Sequence, residues 1–492
     1  MDVWSLTRTE GDWPQALDAY ERAVGRLRQL DPATGAPRDP RGWRFLAAVH
    51  GIATTTGQLD LSNPLWCTCQ HGSWFFLPWH RMYLWAFERI MQDVLEDDTW
   101  SLPYWYTIDP DDPTTSVLPP AFRDRSRPNN LFTDRRSIRA NRGLPLPALG
   151  ASVIDALNAE RFSSPDGLES FGSGERATPT FSGDEVGLLE DTPHGGVHVL
   201  VGNDYDAQGN VLRQGWMGSF VTAGLDPVFW LHHANIDRLW QVWLDLDPAH
   251  RNPTGDPAWL DTEFSFPAVD GGTVSWKVGD VLDTVALGYE YERTAAPSGV
   301  APAPVLAAGG SEREPGGAGM SERPLPQLLG ATPDVPLASR EPVEVELAQP
   351  ADLSLAPGAE RAGRGAGRLY LRVEGITGTA AAPVYEVYVN VPPGEAPPDH
   401  PELRAGSLST FGLIETSRAD DRHGGGGKSA AFDITSVREA LVDQGRWDPG
   451  RLQVSFHPVV PAPPPDEAAA ELEAMEASPP DLRATRIAII AT

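Results

Sequence analysis

Sulfur and positive charge are the two things this sequence has little of. Only two cysteines occur among 492 residues, Cys67 and Cys69, one residue apart. A disulfide framework is therefore excluded as the source of stability, and a bridge between these two would be strained. Lysine and arginine number 39 against 68 aspartates and glutamates, a formal net charge of −29. Nucleic acid and anionic membrane surfaces reward a basic face, so neither is expected as the main partner. Long hydrophobic runs are also missing, and none approaches the length that spans a bilayer. Residues 1–13 lack the basic and apolar stretches of a secretory leader. Localisation stays open between retention inside, earlier removal of a leader, and export by a partner. Nothing in the sequence gives the oligomeric state.

What is present suffices for two cores. Apolar residues make up 41% of the chain, with 16 Trp and 16 Phe, and the length exceeds what one ordinary core fills. From residue 14 to about residue 240 the pattern is mainly helical. Leu17, Tyr20, Ala23, Val24 and Leu27 recur at helical spacing; Pro14 suits a first turn, and Asp31-Pro32 ends the segment. Trp43, Leu46 and His50 share one helix face, and His80, Leu84 and Phe87 repeat that arrangement on a helix running to about Leu95. Residues 109–182 are rich in Pro, Gly, Ser and Asn and read as long loops, with one helix near 153–161. Helical patterning fades after Trp243. Residues 293–340, with Ala-Pro-Ala-Pro at 301–304, read as a linker or a strap ordered on contact. Period-two runs follow at 369–373, 384–391, 408–411, 452–456 and 486–490, with one helix at 435–443. The expected architecture is an α-helical bundle over 1–292, a linker over 293–340 and an antiparallel β-sandwich over 341–492.

Seven of the 11 histidines gather in two short regions of the helical part. His50, His71 and His80 form one group; His194, His198 and the pair His232-His233 form the other. His194 and His198 are four apart, so on a helix both rings project from one face, about 5–6 Å apart at Cβ. That geometry suits two ligands to one metal, and a second helix can supply the third. His50 from one helix, His80 from another and His71 from the loop between could build an equivalent site. Two open three-histidine sites without a carboxylate ligand favour copper. A zinc hydrolase would want a general base as in His-Glu-x-x-His, and a di-iron centre would want Glu-x-x-His pairs; neither form is evident.

Residues 71–81, His-Gly-Ser-Trp-Phe-Phe-Leu-Pro-Trp-His-Arg, resemble the first copper signature of tyrosinases, catechol oxidases and molluscan hemocyanins. Residues 226–240, Asp-Pro-Val-Phe-Trp-Leu-His-His-Ala-Asn-Ile-Asp-Arg-Leu-Trp, resemble the second, with His194 and His198 upstream at a similar distance. The resemblance covers about residues 40–292 and ends at Tyr289-Glu-Tyr291. It implies that His50, His71 and His80 hold one copper and that His194, His198 and His233 hold the other. Helical pattern alone does not separate His232 from His233; the family uses the second of the pair. Asp237 would orient ligand groups or pair with Arg81 or Arg238, or simply form a helix ion pair. The resemblance also implies a thioether from Cys69 to His71, whereas Cys67 has no assignable role.

By the same resemblance the expected reaction is copper-dependent oxidation of o-diphenols or o-aminophenols to o-quinones. Two copper ions are the cofactor, and a small phenol and O2 are the partners. Phe220 aligns with a gate phenylalanine over the first copper, and Phe229 would stack near the substrate ring; each could instead be core. Monophenol hydroxylation needs an activated water, held in relatives by a carboxylate and an Asn after the first histidine of the second site. Glu190 fits the carboxylate, but Gly195 stands at the Asn position and has no side chain to offer. Diphenol oxidation is therefore favoured over the alternatives, a tyrosinase with strong monophenolase activity or a hemocyanin-like O2 binder. A sandwich of this kind resembles the extra domain of latent plant enzymes, which implies that it covers the copper pocket. The sequence does not say which residue would plug the site; Phe411 is a bare candidate.

Overall fold

The computed structural model describes residues 1–3, 13–300, 326–337, 343–346, 367–419, 424–448, 450–463, 472, 475, 477 and 480–492. Helix α1, Gln15–Gln29, buries Leu17, Tyr20, Ala23, Val24 and Leu27, the face read from the sequence; Pro14 precedes it as N-cap. Helix α2 is Trp43–His50 and α3 is Phe76–Leu95. The short helix α4, Gly196–Gly202, follows an irregular turn at Glu190–Gly195 in which Thr192 is extended. Helix α5, Pro227–Leu246, starts where the Asp226 carboxylate accepts a hydrogen bond from Val228 N, with Pro227 in the first position. Arg136, fully buried, pairs with Asp226 at 2.6 Å and so anchors that start. The helix expected near 153–161 is only the single turn Ile154–Leu157, ending at Asn158. Two small antiparallel hairpins complete this half: β1, Asn203–Tyr205, with β2, Val211–Gln214, and β3, Glu263–Pro267, with β4, Thr273–Lys277.

Among the described residues, the C-terminal half is a sandwich of two four-stranded antiparallel sheets. Its strands are β5, Gln327–Pro336; β6, Val343–Glu346; β7, Leu369–Gly378; β8, Tyr385–Val389; β9, Arg404–Leu408; β10, Lys428–Asp433; β11, Arg451–Pro458; and β12, Leu482–Ala491. The sheet orders are β10-β7-β12-β5 and β6-β11-β8-β9. Helix α6, Thr435–Asp443, lies where expected.

Two expectations need correction. Residues 327–336 fall inside the stretch read as linker, yet they pair with β12 between Arg483 and Ala491; residues 301–325 and 338–340 of that stretch lie outside the described residues. Residues 408–411 are not a strand: β9 ends at Leu408, and Gly412 at φ 74° turns the chain. Ser409 N donates instead to Asp191 of the helical half, at 3.0 and 3.1 Å.

The halves are packed together rather than merely tethered. Val384, Phe411 and Val459 of the C-terminal half belong to the helical core cluster. Val186 N donates to Ser429 O at 3.1 Å, and Ser429 N to Asp184 O at 2.5 Å. In four ion pairs across this boundary the basic residue belongs to the C-terminal half. Arg368, Arg372, Arg404 and Lys428 face Glu160, Glu185, Asp155 and Asp191 respectively. Among the described residues, no helix is long and apolar enough to cross a membrane.

Candidate metal centre

Six of the seven grouped histidines converge in one buried cavity. His50 ends α2, His80 lies in the second turn of α3, and His71 sits in the loop before it. His233 lies in the second turn of α5, His198 in α4, and His194 in the irregular turn leading into α4. Ring centroids of His50, His71 and His80 are 5.3–5.8 Å apart. Those of His194, His198 and His233 are 4.7–5.4 Å apart. The trios meet where His80 stacks on His233 at 4.5 Å.

Backbone carbonyls orient four of the rings. Nδ1 of His50, His80, His194 and His198 donates to the carbonyls of Phe220, Phe76, Glu190 and Met217 at 2.8–2.9 Å. A carbonyl only accepts, so each Nδ1 carries the proton and each Nε2 turns a bare lone pair into the cavity. Nε2 of His50, His71, His80 and His194 is buried and has no hydrogen-bond partner. Burial keeps the rings neutral: His50 falls to about 4, and the other five lie well below the ordinary histidine range. Nε2 of His198 and His233 are 3.2 Å apart. Two ligands at adjacent positions on an ion with bonds of about 2.0–2.1 Å sit at such a separation. Buried imidazole lone pairs fixed by second partners are what a borderline cation requires.

The ligand atoms cluster as His50-His80-His233, His194-His198-His233 and His50-Cys69-His71. His233 thus straddles the trios, and His71 leans toward Cys69, whose Sγ is 3.5 Å from its Nδ1. Cys67 is buried, and its Sγ donates to Ile52 O at 3.4 Å. His232 points elsewhere: its Nε2 donates to His194 O at 3.1 Å, buttressing the turn that carries His194. Burial lowers it to about 3.

Aromatic rings close the cavity. Phe220 stacks on His71 at 4.1 Å, and Phe229 sits 4.9 Å from His50 and 4.2 Å from His233. Phe411, from the C-terminal half, stacks on His198 at 3.9 Å with 9° between planes and meets Phe220 at 4.6 Å. The space lined by Phe411, Glu190, His71 and His194 is about 10 Å³, room for one water. Gly195 lies under Ser409: a Cβ there would come within 2.5 Å of Ser409 Oγ and 3.0 Å of its Cβ. Glu190, 5% exposed, gives its carboxylate to Gly72 N and Ser173 Oγ. Burial pushes it up to about 7.

Sequence reasoning missed the residues that seat Phe411. Lys428 Nζ donates to Ser409 O and Phe411 O at 3.1 and 3.0 Å and lies 3.7 Å from Asp191. A lone lysine opening a strand carries no signal of such a role. Asp237 was legible only as one of several partners. Its carboxylate accepts from Arg81 Nε at 2.6 Å and from the hydroxyls of Tyr289 and Tyr291 at 2.7 Å, tying α3, α5 and the Tyr-Glu-Tyr segment together.

The chain is similar to known proteins along its length. The common central domain of tyrosinase matches residues 40–141 and 123–246, the polyphenol oxidase middle domain matches 254–299, and a domain of unknown function matches 327–471. Tyrosinase HcTyr1 from Hahella sp. is 31% identical over 475 residues, covering 90% of this chain and 92% of that one. Polyphenol oxidase B from Solanum lycopersicum, a chloroplastic protein, is 32% identical over 55% of this chain, which spans only 46% of that relative. The fold is shared with latent aurone synthase, a polyphenol oxidase, at TM-score 0.60 and 20% identity over 99% of this chain and 90% of that one. Latent apple tyrosinase gives TM-score 0.58 at 22% identity over 96% and 94%. On a similarity that runs the length of both chains, the protein belongs to the tyrosinase and polyphenol oxidase family of copper-dependent oxidoreductases that act on phenols.

Proposed function

We propose that this chain oxidises o-diphenols or o-aminophenols to o-quinones, reducing O2 to water, and that its C-terminal half holds the enzyme latent. The observation that carries the first part is the set of four buried Nε2 lone pairs without partners, at His50, His71, His80 and His194, three of them on rings whose Nδ1 is already fixed by a carbonyl. In this reading His50, His71 and His80 hold one copper and His194, His198 and His233 the other, with His232 as a buttress. The copper pair, when bound, supplies the two-electron couple between diphenol and O2.

The chain's own contribution is a rigid, dry pocket of aromatic walls. Phe220 and Phe229 pack against rings of both trios and exclude water. The flat face of His198, now covered by Phe411, is where a phenol ring would stack; an aromatic side chain in that place supports an aromatic substrate. Cys69 lies close enough to His71 for a thioether, formed with loss of one hydrogen from each residue and transfer of two electrons to O2.

Gly195 offers no side chain to hold a water, and the Glu190 oxygens already accept hydrogen bonds from Gly72 and Ser173. Both features favour diphenol oxidation over monophenol hydroxylation. The name of the Hahella relative favours the second reading, strong monophenolase activity. Purified protein should bind two coppers per chain and turn over catechol much faster than tyramine. Equal rates would give the tyrosinase reading precedence. His233→Ala should lose copper and His232→Ala should retain it; the reverse would reassign the ligand.

A further inference from the structure

Glu190 is built into the site more deeply than a water-activating group needs to be. Its two carboxylate oxygens accept from Gly72 N at 2.8 and 2.9 Å, gripping the peptide that follows His71. Its backbone carbonyl accepts from His194 Nδ1 at 2.9 Å. One residue therefore touches the supports of both histidine trios. Gly72 adopts φ 59°, and a Cβ there would strike the Gly183 backbone. Gly183 N in turn donates to His71 O at 2.5 Å. The His71-Gly72 unit is thus held from two sides, by Gly183 and by Glu190.

Ser173 completes the arrangement. It is buried, at 1% exposure, and holds the left-handed backbone at φ 78°, uncommon for a residue with a Cβ. Its hydroxyl donates to Glu190 Oε2 at 2.6 Å and accepts from Gly187 N at 2.9 Å. Gly187 could not be larger, since a Cβ would overlap Ser173. A strained, buried hydroxyl aimed at one carboxylate is a feature maintained by its surroundings.

We propose that Glu190 is a positioning residue that locks the two histidine trios in register, with Ser173 fixing its carboxylate, rather than a base acting on water. This rests on the metal-binding reading above. Hydrogen bonds behind metal-ligating histidines set ring orientation, and losing one typically costs about 10- to 100-fold in metal affinity.

The test is copper retention by the full chain, loaded with copper and challenged with a chelator, read by metal analysis. Ser173→Ala and Glu190→Ala should release copper roughly 10- to 100-fold more readily than wild type. Glu190→Gln keeps an acceptor for Gly72 N and should stay close to wild type. Ser173→Gly relieves the left-handed backbone but removes the hydroxyl, so it should release copper as Ser173→Ala does, although the fold itself is eased. Retention at the wild-type level by Ser173→Gly or Ser173→Ala would overturn the proposal. So would a Glu190→Gln variant that loses copper as fast as Glu190→Ala. A wild-type chain that takes up no copper would instead overturn the metal-binding reading itself, so the two failures are distinguishable.

Discussion

Replacing Phe411 by alanine should unmask activity. The ring is 3% exposed and lies flat on His198, so in this geometry it competes directly with an incoming phenol. Burying such a side chain is worth about 3 kcal/mol. Three of the ion pairs across the boundary, at Arg368, Arg372 and Arg404, have side chains 17–63% exposed, and each contributes roughly 1 kcal/mol or less. The buried ring therefore does more than any one of these pairs to hold the loop over the site. Losing about 3 kcal/mol of competition changes an apparent affinity roughly 100-fold. The backbone of residues 409–411 stays over the pocket, which makes this an upper bound. The assay is o-quinone formation from catechol by full-length wild type and Phe411→Ala, matched for copper content. The variant should reach half-saturation at a much lower catechol concentration, with Phe411→Leu between the two. A Phe411→Ala protein with full copper and no gain at any concentration would refute the plug.

Three further outcomes are expected. Burial at the boundary pushes Glu169, beside Asp433, Asp155 and Arg368, up to about 8, and Asp191, beside Lys428 and Ser409, up to about 6. The docked state then keeps protons that an undocked one releases, so docking is strongest below about pH 4 and weakens as pH rises through both values. The activity of wild type relative to Phe411→Ala should accordingly climb between about pH 5 and pH 8; a flat or falling ratio contradicts this. Asp237→Ala leaves the buried Arg81 guanidinium without its carboxylate and should cost about 3–5 kcal/mol in denaturant unfolding of the full chain. A loss below about 1 kcal/mol would mean that the Trp240 ring 3.8 Å away and the carbonyls of Val281 and Leu282 already stabilise the charge. Copper-loaded protein exposed to O2 should yield a peptide joining Cys69 and His71 that is lighter by two hydrogens. An unmodified mass would dispose of the thioether.

The helical part was legible because its signal is local. Leu17 to Leu27, and Trp43 with Leu46 and His50, are spaced by the helix repeat itself, so burying the apolar stripe also aims His50 inward. Spacing did not distinguish His232 from His233, because both lie on a helix buried nearly all round. The choice is made by a carbonyl 38 residues upstream, at His194, which takes the His232 ring. The sandwich showed its strands through period two. It hid β5, where Gly330, Pro333 and Pro336 break the pattern and β12 alone supplies the pairing. Residues 408–411 alternate like a strand but are drawn off by Asp191, a contact spanning 218 residues that no window can contain.

Gly195 has a packing role that its place in the sequence does not show. In the sequence it is the absence of a water-holding side chain, and it speaks to substrate choice. In the structure its bare Cα is the floor on which Ser409 rests, and Gly412 plays the matching part on the other side, where a Cβ would overlap the Phe220 ring. Both glycines are needed for the Phe411 loop to enter. A side chain at position 195 that could hold a water would also lift Ser409 by a few tenths of an ångström or more and loosen the plug. On the proposed reading, latency and weak monophenol chemistry would both follow from one small residue. Gly195→Asn should move both together, raising full-length catechol activity as well as the tyramine-to-catechol ratio. A change in that ratio with latency intact would separate them.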